Sequence, residues 1–172
     1  MPLVARAETA DGVRRGILAE VEAMRPDQLT RKPTPDSWNV LEVVEHLVLI
    51  EQVVLRGLPE FDQLVVRPRT LANRFWHAVI RAILFFNIPV KVPSRGMKPT
   101  GTRTLEELKA LWDKQHAWVS RYAEHVDRTG RDPAVFKHPV AGPLTLRQSL
   151  RLVVPHMGRH WNQIRRLRAS TS

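Results

Sequence analysis

The sequence predicts an all-α fold, a four-helix bundle with one long crossover, and three observations carry that reading. Apolar residues recur at helical spacing in four separate stretches. Strand signals are few. Roughly 46 residues separate the second stretch from the third, far more than an antiparallel hairpin needs, so the chain has room to return to the same end of the bundle.

The first helix is expected over residues 10–25, where Val13, Ile17, Val21 and Met24 form one stripe and Pro26 closes it. The second opens at Asn39, an N-cap residue with Glu42 three positions on. It carries Val40, Val43, Val44, Leu47, Ile50, Val54 and Leu55, and should end at Gly57 and Pro59. The crossover between helices two and three holds an extra short helix over residues 71–86, with Phe75, Trp76, Val79, Ile80, Ile83 and Leu84 interrupted by Arg74 and Arg81. Such a face must rest on something, the bundle or a dimer partner before a membrane.

Thr104 with Glu107 forms a capping box for the third long helix, whose stripe is Leu108, Leu111, Trp112, Gln115, Val119, Tyr122 and Val126. Gly130 and Pro133 stop it. Thr145 with Gln148 caps the fourth, which runs through Leu146, Leu150, Val153, Met157, Trp161, Ile164 and Leu167. Pro155 stands inside this helix, directly before His156. It removes one main-chain donor and crowds the carbonyl of Arg151, so it either aims its neighbour or is a tolerated irregularity.

With 172 residues, 43% hydrophobic and 26% charged, the chain fits one domain, 1–172, able to bury a substantial core. There is no cysteine, which excludes disulfides, thiolate ligands and a cysteine nucleophile. The first twenty residues mix Arg6, Glu8, Asp11, Arg14 and Arg15 with small apolar residues. They hold no signal-peptide core, no apolar run is long enough to span a bilayer, and a cytoplasmic location is expected.

The net charge of +10 is unevenly placed. Residues 56–103 hold nine basic residues against Glu60 and Asp62, and beyond Asp132 there are seven basic residues and no acid. An anionic small-molecule substrate fits this asymmetry, as does a solvated arginine-rich face. The arginines lack the interleaved aromatics and glycines of RNA-binding modules, so nucleic acid is disfavoured.

Three histidines are the candidate site. His156 and His160 are one turn apart and project from one face of the fourth helix. His46 lies about seven residues into the second helix, and His160 about eight residues before Arg168 in the fourth. If those helices run antiparallel, the three imidazoles fall at similar heights and can converge on one divalent metal, leaving a position open for exchange. Alternatively, the pair lies on the surface and His46 is an ordinary hydrogen-bonded residue. No Gly-x-Ser-x-Gly elbow, Gly-rich phosphate loop or His-Glu-x-x-His motif is present. Glu42, four residues before His46, is a candidate base or supporting group, although a carboxylate there also suits the helix start. Asn162 and Gln163 are weaker candidates for supporting the ligands. His77 and His116 fit partly solvated helical faces, His125 a helix end and His138 a loop.

The stretch Ser37-Trp38-Asn39-Val40-Leu41-Glu42-Val43-Val44-Glu45-His46-Leu47 resembles the second-helix signature of the DinB-like superfamily. His138-Pro139-Val140-Ala141-Gly142-Pro143-Leu144-Thr145, continuing through His156, His160, Gln163 and Ile164, resembles its C-terminal block. The region 56–103 lies outside its recognisable motifs. The resemblance implies a four-helix bundle with a long second connection and a metal site of His46, His156 and His160, holding nickel or zinc. The activities it implies are diverse: thiol-dependent S-transferases, a maleylpyruvate isomerase and metal-dependent hydrolases. Pro155 departs from the uninterrupted helix usual in that family.

Two function classes follow. One is a metal-dependent transferase or hydrolase, in which the metal acidifies a low-molecular-weight thiol or a water. The other is a non-catalytic, metal-stabilised bundle that binds a partner or forms a homodimer through its basic crossover.

Overall fold

The computed structural model describes residues 1–55, 60–86, 88 and 95–170. The expected stop of the second helix at Gly57 and Pro59 lies outside them. The described chain is mostly helical: α1 (Leu3–Glu22), α2 (Pro26–Thr30), α3 (Val40–Leu55), α4 (Leu71–Phe85), α5 (Leu105–Thr129) and α6 (Leu146–Ala169). Two short strands, β1 (Phe136–His138) and β2 (Gly142–Leu144), pair antiparallel between α5 and α6. No helix among the described residues is long and apolar enough to cross a membrane.

The helix starts show how sequence sets structure locally. At α3, the Asn39 amide donates to Glu42 Oε2 and the Glu42 amide donates to Asn39 Oδ1, both at 2.8 Å. Thr104 with Glu107 and Thr145 with Gln148 form the same reciprocal cap at α5 and α6. Each satisfies donors that a helix start leaves without an intrahelical partner. Gly130 ends α5 in the left-handed region, φ +67°, where a side chain would be strained.

Three expectations are corrected. The first helix spans Leu3–Glu22 instead of residues 10–25. Its buried stripe extends backward through Ala10, Ala7 and Leu3, too small a set to register as an apolar pattern, and Asp127 accepts from the amides of Leu3 and Val4. Its end comes earlier because Pro26 disfavours a helical residue before it and instead opens the five-residue α2. Secondly, His138 belongs to β1 and not to a loop. Its Nδ1 accepts from the amides of Val140 and Ala141, which closes the turn of the hairpin. Thirdly, His77 and His116 are buried, not partly solvated.

Packing then places the candidate residues. α1 and α3 each pack on both α5 and α6, α4 lies along α6 and β2, and the turn Arg95–Met97 packs on α3. Leu3, Ile17, Leu47, Leu108, Trp112 and Ile164 are fully buried between the long helices. The apolar residues of the stripes expected for α3, α5 and α6 face this core, except Ile50. Buried polar groups meet across α1, α3 and α5: His116 Nε2 lies 3.1 Å from Glu51 Oε2, its Nδ1 lies 3.4 Å from Asp11, and the buried Arg14 bridges Asp11 and Asp113. Charges withdrawn from water persist where an opposite charge faces them.

Candidate metal centre

α3 and α6 bring the three histidines together. The ring centroids of His46 and His160 are 4.8 Å apart, those of His46 and His156 5.5 Å, and those of His156 and His160 4.6 Å. One nitrogen from each lies within 4.8 Å of the others. α6 continues helically through the exposed Pro155, and the four-residue spacing keeps both of its histidines on one face.

Two of the rings are oriented by hydrogen bonds. His46 Nδ1 donates to the main-chain carbonyl of Met97 at 2.7 Å. His160 Nδ1 donates to Gln163 Oε1 at 2.8 Å. A carbonyl oxygen only accepts, so these partners place the proton on Nδ1 and leave Nε2 with its lone pair free. Trp38 lies against His46, with ring centroids 4.8 Å apart.

Electrostatics favours the same neutral state. Burial holds His46 below the usual histidine range, against the opposing pull of the Met97 carbonyl. His160 is pushed down to about 4, mainly by burial and then by His46. His156 lies well below the ordinary value, first through burial and then through His160, His46 and Arg159. Three neutral imidazoles facing one point, two with their outer nitrogen already engaged, match the donor set that zinc and nickel take from proteins. The residues therefore fit a divalent metal.

The histidines open into a cavity of about 630 Å³. Trp38, Met97, His138, Arg159, Gln163 and Arg166 are among its lining residues, and no carboxylate is among the described ones. Glu42 lies apart from it: Oε2 caps α3, and Oε1 accepts from Lys32 Nζ at 2.7 Å. Glu45, beside His46 in sequence, accepts from the amides of Thr100 and Gly101 and so ties the end of the crossover to α3. Asn162 is exposed, whereas Gln163 holds His160. His138 lines the cavity from the hairpin.

Sequence reasoning missed the Met97 carbonyl, Trp38 as a wall of the site, and Arg159. A main-chain acceptor carries no residue signature. Trp38, one position before an N-cap, and Arg159, directly before His160, had signals in their adjacency.

This is a helical protein with three imidazoles, a set that could hold a metal ion, gathered between two of its long helices above a cavity. The DinB superfamily model matches residues 9–164, and the chain belongs to that superfamily. Neither a curated protein nor a solved structure matches it.

Proposed function

We propose that this chain is a single-domain, four-helix-bundle metalloprotein of the thiol S-transferase or hydrolase type, with zinc or nickel held by His46, His156 and His160. The observation that carries this reading is the convergence of the three neutral imidazoles, His46 and His160 each with Nδ1 engaged. A bound divalent cation supplies Lewis acidity at an exchangeable position, where a low-molecular-weight thiol or a water becomes acidic. Arg159 and Arg166 supply positive charge toward an anionic small-molecule substrate, and Trp38 shields His46 from water. Hydrolysis calls for a proton acceptor beside the attacking water. No described carboxylate lines the cavity, and His138 Nδ1 is occupied by two amides. This favours thiol transfer over hydrolysis.

The test is metal content by plasma mass spectrometry on untagged protein beside the double variant His46→Ala/His156→Ala. Near-stoichiometric metal in the parent, absent from a variant with unchanged circular dichroism, is the expected result. No metal in the parent after incubation with zinc or nickel would leave the non-catalytic module as the better reading.

That second reading has its own support in α4. Leu71, Phe75, Ala78, Ala82 and Phe85 recur at alternating steps of four and three, and all are exposed. This is the spacing of a helix-packing seam, with small residues at its centre that allow close approach. A homodimer through this face should give a dimeric mass in light scattering, and Phe75→Glu should return it to the monomer.

A further inference from the structure

The cavity beside the histidines changes character along its length. From His46, α3 presents Ile50 and then Val54 to the cavity, while α6 presents Val153 and Leu152 on the N-terminal side of His156. Ile80 and Ile83 of α4 line it too. Beyond His160, α6 presents Gln163 and Arg166, and Arg159 stands between the two histidines. One helix stripe thus runs from aliphatic through imidazole to cationic.

We infer that the cavity takes an amphipathic organic anion, a carboxylate whose head meets Arg159 and Arg166 and whose unbranched hydrocarbon arm lies between α3, α4 and α6. Placing the middle of that ligand at a reactive centre rests on the metal reading above; the binding itself does not. Three features select this class. The aliphatic side chains of the arm present no hydrogen-bonding partner, so a sugar or nucleotide would bury hydroxyls unsatisfied, which disfavours it. Polar groups near it are already engaged: Ser149 Oγ donates to the Thr145 carbonyl, and His138 Nδ1 accepts from two amides. No described acid lines the cavity to repel an anion, and both arginines follow His156 on α6, away from Leu152 and Val153.

Length follows from the helix. His46 and Val54 are eight residues apart, about 12 Å at 1.5 Å per residue, which accommodates an extended chain of roughly eight to ten carbons. A cavity of about 630 Å³ holds such a ligand and lies within the usual range for small-molecule sites.

Calorimetric titration of the metal-free full-length protein with butanoate, hexanoate, octanoate and decanoate tests this, with octan-1-ol as the uncharged control. Each added methylene should tighten binding about two- to fourfold until the arm is filled. Octan-1-ol should bind at least tenfold more weakly than octanoate, and Arg166→Gln should narrow that gap. Val153→Phe and Ile83→Phe, both at half-buried positions, should each end the gain at a shorter chain. Affinity indifferent to chain length, an alcohol equal to the acid, or an unmoved limit in both filled variants would overturn the inference. Chelator-treated protein keeps this outcome separate from the metal reading, whose failure shows as missing metal in the parent and leaves the chain-length series intact.

Discussion

His46 Nδ1 donates to the main-chain carbonyl of Met97, 51 residues further along the chain, at 2.7 Å. The bond ties the end of the long crossover to the first of the three site histidines. The connection between α3 and α5 therefore does more than return the chain: its last turn fixes the proton of His46 on the outer nitrogen and aims Nε2 inward. Glu45, the next residue back, holds the same stretch through Thr100 and Gly101. Two adjacent α3 side chains thus face the crossover, one for orientation and one as anchor.

Gln163 does for His160 what Met97 does for His46, and its side chain is open to mutation. Gln163→Leu removes the acceptor of His160 Nδ1 and frees the ring to turn or change tautomer. Such supporting partners are worth about 10- to 100-fold in metal affinity. Competition against a chromogenic chelator should show a loss of that size with helical circular dichroism unchanged, whereas Gln163→Glu should retain or strengthen binding. Equal affinity in the leucine variant would show that the bond does not orient a ligand.

Glu42 is a structural carboxylate in this geometry. Its two oxygens serve the Asn39 amide and Lys32, and it is only 8% exposed. Asn39→Ala or Glu42→Ala should each lower unfolding free energy by about 1 kcal/mol, the usual worth of a cap. Metal content should stay at the parent value in both. Chemical denaturation and metal analysis on the same samples check the two statements together.

Much of this was legible in the sequence because it rests on local rules. Reciprocal caps need only two residues three positions apart, so Asn39, Thr104 and Thr145 mark their helix starts unaided. His46, His156 and His160 were legible through helical spacing and the motifs around them. What escaped depends on distant chain. α2 is too short to show a period, and the hairpin is closed by the ring of His138 and not by a turn motif of strong signature. The backward extension of α1 depends on Asp127, more than 120 residues away. The burial of His116 depends on Asp11 and Glu51, contributed by two other helices.

Gly16 shows the same dependence from the packing side. It sits inside α1, where alanine would ordinarily stabilise a helix by about 1 kcal/mol. Here an added Cβ would lie 2.5 Å from the ring of Trp161, which is held by Nε1 donation to Glu20 and by Arg165 over its face. Moving a ring restrained on two sides costs about 1–3 kcal/mol. Gly16→Ala should therefore lower the urea midpoint instead of raising it, and a raised midpoint would mean that Trp161 yields freely.

Tyr122 gives the molecule an alkaline limit. Its phenol is only 2% exposed, and burial, followed by Asp132, pushes its pKa up to about 12 from an ordinary value near 10. The folded chain keeps this proton between pH 10 and 12, while the unfolded chain releases it. The unfolded state then binds fewer protons, so stability falls as pH rises through that window and is undiminished by this group below pH 10. Tyr122 is the chain's single tyrosine, so phenolate absorbance reads its titration without overlap from another. The absorbance should rise near pH 12 in folded protein and near pH 10 in denaturant. Tyr122→Phe should show a shallower loss of denaturation midpoint between pH 10 and 12 than the parent. A phenolate rise near pH 10 in the folded protein would mean that α5 opens at that position before the rest of the molecule does.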